Sequence, residues 1–205
     1  MAGDDYGNLI PHQDVDKNLT SNPNFFTNAP NCTDFSSRYM TTHFACGMPM
    51  LNYENHELQD IYIEFIQEIK DCHVKSIRLD MMKHYSTKSE GSDFFERVFS
   101  PFSDMFNYGE CLDCSKELLD EYTKEMNVLT NVDDVTDKSK LVVFFMSHDT
   151  ELTFKSTIHM TDEMIISEWE NLLQFYKESH VLFYCRSYSN LWRSDEIRKI
   201  NLENR

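Results

Sequence analysis

Between Asn55 and Met82 the apolar periodicity changes from 3.6 to 2 across a link of two or three residues, and no other feature constrains the fold as strongly. Leu58, Ile61, Tyr62, Phe65, Ile66, Ile69 and Cys72 recur at spacings of three and four behind Asn55, which is suited to cap a helix. Glu57, Asp60, Glu64, Gln67, Glu68 and Asp71 fall on the opposite, solvated face. From Val74 to Met82 the pattern alternates, with Ile77, Leu79 and Met81 on one side and Ser76, Arg78 and Asp80 on the other, which predicts a half-buried strand.

The same order returns near the end of the chain. Thr161 caps a helix whose first-turn acids, Asp162 and Glu163, oppose the positive end of the dipole. Its predicted apolar stripe is Ile165, Trp169, Leu172, Leu173 and Tyr176, and a strand follows over Val181–Cys185. Glu168 with Leu172 and Leu173 matches an acidic dileucine signal, but both leucines fall on that stripe, which predicts burial. Two helix–strand units are too few for a solenoid.

Between these units, Phe94, Phe95, Val98 and Phe99 form a short helix behind Ser92, and Phe102, Met105 and Phe106 continue past Pro101, giving a phenylalanine-rich core segment. A helix runs from Ser115 to Leu129. Lys140–Ser147 is a continuous apolar strand, His148-Asp149-Thr150 a turn, and Leu152–Met160 an alternating strand, which together predict a hairpin. Residues 1–50 hold Pro11, Pro23, Pro30 and Pro49 with many asparagines and read as an extended or disordered arm, anchored by Phe25, Phe26 and Phe44. The expected fold is α+β, a single domain at 51–186 with helices on a small mixed or antiparallel sheet, in the order α-β-α-α-β-β-α-β, followed by a polar tail at 187–205.

The chemistry is narrowed by glycine. Of 5 glycines only Gly47, Gly91 and Gly109 lie outside the first ten residues, so no phosphate-cradling or nucleophile-elbow motif can be written, and all three are expected to punctuate element ends. The net charge is −16, and the stretch 110–137 is acid-rich, which disfavours nucleic acid and suits a basic partner surface. The N-terminus lacks a basic start and an apolar run, which places the chain inside the cell, in cytoplasm or nucleus, and no apolar run is long enough to span a membrane. The scattered cysteines are expected to be reduced.

Cys111-Leu-Asp-Cys114 has the spacing of a metal half-site, and His43 with Cys46 could complete a tetrahedral zinc set. A redox disulfide across Cys111 and Cys114 is disfavoured because the strand–helix–strand context such motifs occupy is missing from the expected element order. Ser147-His148-Asp149 holds three triad residue types, but neighbours on an extended chain point to opposite faces and cannot bond in series. Thiols and imidazoles from distant segments, Cys72, Cys185, His148 and His159, form a third possibility, an enzyme site assembled by folding. No catalytic, cofactor or metal residue is assigned, and the leading expectation is a non-enzymatic, regulatory, intracellular protein that binds another protein. The zinc-stabilised module on His43, Cys46, Cys111 and Cys114 is the alternative.

Overall fold

The computed structural model describes residues 19, 21–47, 49–131, 134–147, 149–150, 157 and 159–182. Its centre is a sheet of five strands, β1 (Ser76–Leu79), β2 (Phe106–Glu110), β3 (Asn127–Leu129), β4 (Leu141–Val143) and β5 (His180–Val181), in spatial order β1-β2-β3-β4-β5. Every neighbouring pair is parallel. This corrects the expected mixed or antiparallel sheet. The physical reason lies in the connections: successive parallel strands need crossovers, and the stretches between strands supply them where a hairpin turn was expected. The alternating run 152–160, on which the hairpin rested, lies largely outside the described residues.

The helices are α1 (Arg38–His43), α2 (His56–Asp71), α3 (Phe94–Phe99), α4 (Lys116–Glu125) and α5 (Asp162–Phe175). Asn55 caps α2 by accepting from the Glu57 and Leu58 amides, Ser115 caps α4 and Thr161 caps α5. Because strand order equals chain order, each crossover advances the sheet by one position in the same direction. Right-handed crossovers then place the connecting segments on one face, the winding of a barrel wall and not of a doubly wound sheet.

One apolar cluster fills the space between that face and the helices. It includes Ile66 of α2, Phe94, Phe95, Val98 and Phe99 of α3, Leu119 and Tyr122 of α4, and Val128, Leu141 and Val143 of the sheet, with Ile77 and Leu79 packed against it. The phenylalanine-rich segment is therefore core, as expected. Phe65, by contrast, is exposed although it lies on the expected stripe of α2, and so is Leu173 of α5, one step off the row Ile165, Trp169, Leu172. The dileucine is split accordingly: Leu172 packs on the core and Leu173 faces solvent.

The segment before residue 51 reaches the body through an isolated bridge of Phe26 with Leu51, and a second bridge, Asn31 with Ala45, closes the segment on itself. Phe25 is buried. Arg38 ties α1 to the body: its guanidinium donates to both Glu90 oxygens, at 2.7 and 2.6 Å, and to the Lys83 and Tyr85 carbonyls.

Gly109 is not punctuation; it lies inside β2. A Cβ there would stand 2.0 Å from the Met82 Sδ and 2.8 Å from its Cβ, and Met82 is fully buried. Glycine is required by this close approach. Gly109→Ala is expected to lower stability by about 1–3 kcal/mol through overpacking, measurable as a drop in the urea midpoint with an unchanged m-value. An unchanged midpoint would show that Met82 moves aside freely.

Candidate functional site at the carboxyl ends of the strands

In a parallel sheet, partners in register share a face. The row Leu79, Gly109, Val128, Leu141 faces the helices. The neighbouring rows must face the other way. Arg78 pairs with Tyr108, and Glu110 with Leu129. Extending the register one residue beyond Leu79 and Gly109 sets Asp80 opposite Glu110, on strands about 4.8 Å apart. Arg78, Asp80 and Glu110 thus lie on one face, at the carboxyl ends of adjacent strands, where open and closed parallel α/β sheets place their chemistry.

The side chains meet as the register requires. Arg78 forms an ion pair with each: Nη1 lies 3.0 Å from Asp80 Oδ1 and Nη2 2.5 Å from Glu110 Oε1. One guanidinium fork holds both carboxylates and sets their separation. Their environments differ: the Asp80 side chain is 69% exposed and that of Glu110 7%. Burial opposes the charge on Arg78, but the Glu110 and Asp80 carboxylates outweigh it and hold the guanidinium above its ordinary range.

Asp80 opens into a cleft of about 320 Å³ lined with Phe44, Tyr53, Met81, His84 and Tyr85. The Tyr53 and Tyr85 ring centroids are 4.8 Å apart. The His84 Nδ1 lies 2.8 Å from the Thr41 carbonyl, so it carries the proton and donates. That leaves Nε2 as a buried acceptor with no hydrogen-bond partner among the described residues. Burial holds the His84 pKa below the ordinary imidazole value, which keeps the ring neutral at pH 7. Met81, between Asp80 and the turn that carries Lys83 and His84, adopts φ 50°, an uncommon left-handed conformation for a non-glycine residue, at the point where the chain leaves β1. Asp149, a third carboxylate, follows the carboxyl end of β4 and is exposed.

The residues singled out from sequence are placed differently. His43 stacks on Tyr39 at 4.4 Å between centroids. The Cys46 sulfur is 3.6 Å from His84 Nδ1. Cys111 and Cys114 are buried beside each other after β2. Among the described residues no group of three or more His, Cys, Asp or Glu is arranged to hold a metal ion, so His43, Cys46, Cys111 and Cys114 do not form one cage. Cys72 is exposed before β1, at the amino ends of the strands, whereas the segment with His159 follows β4, at their carboxyl ends. The topology therefore separates them. His148 and Cys185 lie outside the described residues.

Alternation sets Asp80 on the polar side of a strand with Ser76 and Arg78, and Glu110 reads as one acid of an acidic stretch. The available signal was that Arg78 and Asp80 share one side of a strand and stand at its carboxyl end. Part of the acidic stretch is consumed locally: Asp120 accepts from the Thr136 amide and hydroxyl, both at 2.7 Å.

No family model matches the sequence. The chain is similar to an alpha-amylase of Clostridium acetobutylicum, 25% identical over 216 residues that cover 87% of this chain and 28% of the relative. It thus spans little more than a quarter of that relative's length. Among solved structures it is similar to an Anoxybacillus alpha-amylase, at 20% identity and a TM-score of 0.45, covering 78% of this chain and 33% of that one. It is also similar to the alpha-amylase of Geobacillus thermoleovorans solved with acarbose, at 20% identity and a TM-score of 0.49, covering 68% of this chain and 38% of that one. The expectation of a non-enzymatic regulatory binder is corrected by the Clostridium likeness, since that relative is an enzyme.

Proposed function

We propose that the chain is a glycoside hydrolase that cleaves α-linked glucans, with Asp80 and Glu110 as its carboxylate pair. The observation that carries this reading is the placement of these two acids opposite each other at the carboxyl ends of β1 and β2, on one Arg78 fork. Likeness to an alpha-amylase over most of the chain supports the choice of substrate.

Hydrolysis of a glycosidic bond needs one carboxyl to protonate the leaving oxygen and a second to attack the anomeric carbon or activate water. Asp80, the more open side chain and the one that borders the cleft, is placed to attack. Glu110, enclosed on the neighbouring strand, is placed to give a proton to the departing oxygen and to take one from the incoming water. Arg78 fixes both in position before substrate arrives, so little reorganisation is needed. The aromatic lining of the cleft offers ring faces to a sugar.

The test is to incubate the full chain with a maltooligosaccharide labelled at its reducing end and to follow the products by chromatography. Shorter labelled oligosaccharides are expected. Absence of cleavage, together with no binding of the oligosaccharide by calorimetry, overturns the reading.

A further inference from the structure

The element order expected from sequence denies the Cys111-Leu-Asp-Cys114 motif the context of a redox pair. The structure supplies that context. β2 ends at Glu110, the two cysteines occupy the turn, Ser115 caps α4, and α4 leads into β3, parallel to β2. This is the strand–motif–helix arrangement in which C-x2-C pairs exchange electrons.

The turn is built to keep the two sulfurs together. The Cys111 amide donates to the Leu129 carbonyl at 2.8 Å, which fixes the first cysteine on the sheet. Asp113 takes φ 57° and is clasped by Asn131, whose Oδ1 accepts from the Asp113 amide at 2.9 Å while its Nδ2 donates to the Asp113 carboxylate at 2.7 Å. The chain thereby folds back on itself, with Cys111 beside Cys114 and the Cys114 sulfur 3.6 Å from the Leu112 carbonyl. Cys111 is fully enclosed. Cys114 borders a separate cavity of about 430 Å³ with Arg38, Thr41, Lys83 and Leu118, which gives an oxidant access to one sulfur only.

We propose that Cys111 and Cys114 are a reversible dithiol–disulfide pair, a modification site for low-molecular-weight disulfides of the glutathione class. Cys114 is the attacking thiol. The Cys111 thiol beside it and the nearby positive charges of Lys83 and Arg38 hold its pKa below the ordinary thiol value, against its burial. Burial, with the Cys114 sulfur beside it, pushes Cys111 well up, so Cys111 keeps its proton and waits as the resolving thiol. In the first step the Cys114 thiolate attacks glutathione disulfide, forming a mixed disulfide and releasing one glutathione thiolate. In the second, Cys111 loses its proton to that thiolate, and its sulfur attacks the Cys114 sulfur, expelling the second glutathione. The balance is two cysteine thiols and one glutathione disulfide giving one protein disulfide and two glutathiones. Bridging them requires the sulfurs to close to about 2.05 Å.

The pair is independent of the hydrolase reading, and its test uses no carbohydrate. The full chain is equilibrated in buffers of graded glutathione to glutathione disulfide ratio, quenched with iodoacetamide and mapped by peptide mass spectrometry. The peptide spanning Cys111 and Cys114 is expected to lose two hydrogens and escape alkylation at a less oxidising ratio than any other cysteine, and to recover both thiols in dithiothreitol. In Cys111→Ser, Cys114 is expected to stop at the glutathione mixed disulfide. The proposal is overturned if Cys111 and Cys114 are alkylated in excess glutathione disulfide, or if the first bridge to form joins Cys32 and Cys46.

Discussion

In Glu110→Gln, cleavage of an α-glucan is expected to fall about 10²–10⁴-fold, the contribution typical of a positioned acid–base group. The substitution keeps size and shape in a site where the wild-type side chain is 7% exposed. It removes the carboxyl proton that the leaving oxygen requires. Arg78 retains Asp80 as its ionic partner and can still donate to the amide oxygen, so the far-ultraviolet circular dichroism is expected to be unchanged. The loss should appear in kcat with little change in KM, because the proton matters in the transition state and not in sugar binding. Asp80→Asn is expected to lower the rate at least as far, since it removes the attacking group outright, while its stability stays within about 0.5 kcal/mol at so exposed a position. Near-wild-type rates in both variants would mean that the carboxylate pair on β1 and β2 is not the catalytic one.

Trp169→Ala is expected to lower stability by about 3–5 kcal/mol, the cost of removing a large buried aromatic and leaving a cavity. Trp169 is 4% exposed on α5 and meets Phe145 edge-to-face, with centroids 5.9 Å apart and planes at 87°. Met146 and Ile165 complete a cluster between α5 and the segment following β4. This is a small core, with few neighbours able to collapse into the vacated space, so the loss should sit toward the upper end. Urea unfolding followed by circular dichroism checks it. A change below about 1 kcal/mol would show that α5 contributes little to the stability of the fold. The same helix exposes Ile166, Leu173 and Phe175, so its apolar content overstates its anchoring, and Trp169 carries most of what is buried.

Much of the local structure was legible because its causes are local. Asn55, Ser115 and Thr161 cap helices since a side-chain acceptor two or three residues ahead of free amides acts within its own turn. The burial of Phe94, Phe95, Phe99 and Phe102 follows from their density along the chain, whatever they pack against. The alternation of Ile77 and Leu79 against Arg78 and Asp80 was readable too, and the two faces proved to be the helix side and the site side of the sheet.

Strand direction was not legible. A half-buried strand alternates whether its neighbour runs parallel or antiparallel, and the short runs 127–129 and 180–181 carry no periodicity of their own. Direction is a property of pairing, decided when crossovers close over the shared core. Gly109 illustrates the difference. From sequence it read as a break between elements, but its role is to admit Met82, which lies far from it along the chain.

The sequence by itself determined where α2, α4 and α5 begin, that the phenylalanines from Phe94 to Phe102 are enclosed and that no phosphate-binding loop can be written, because these depend on neighbours within a turn or on composition. Only the tertiary structure decided that Arg78, Asp80 and Glu110 meet and that Cys111 and Cys114 stand between a strand and a helix. Asp80 and Glu110 come from separate strands, and no spacing encodes their approach; the parallel register of β1 and β2 brings them level, and a single guanidinium then holds them there.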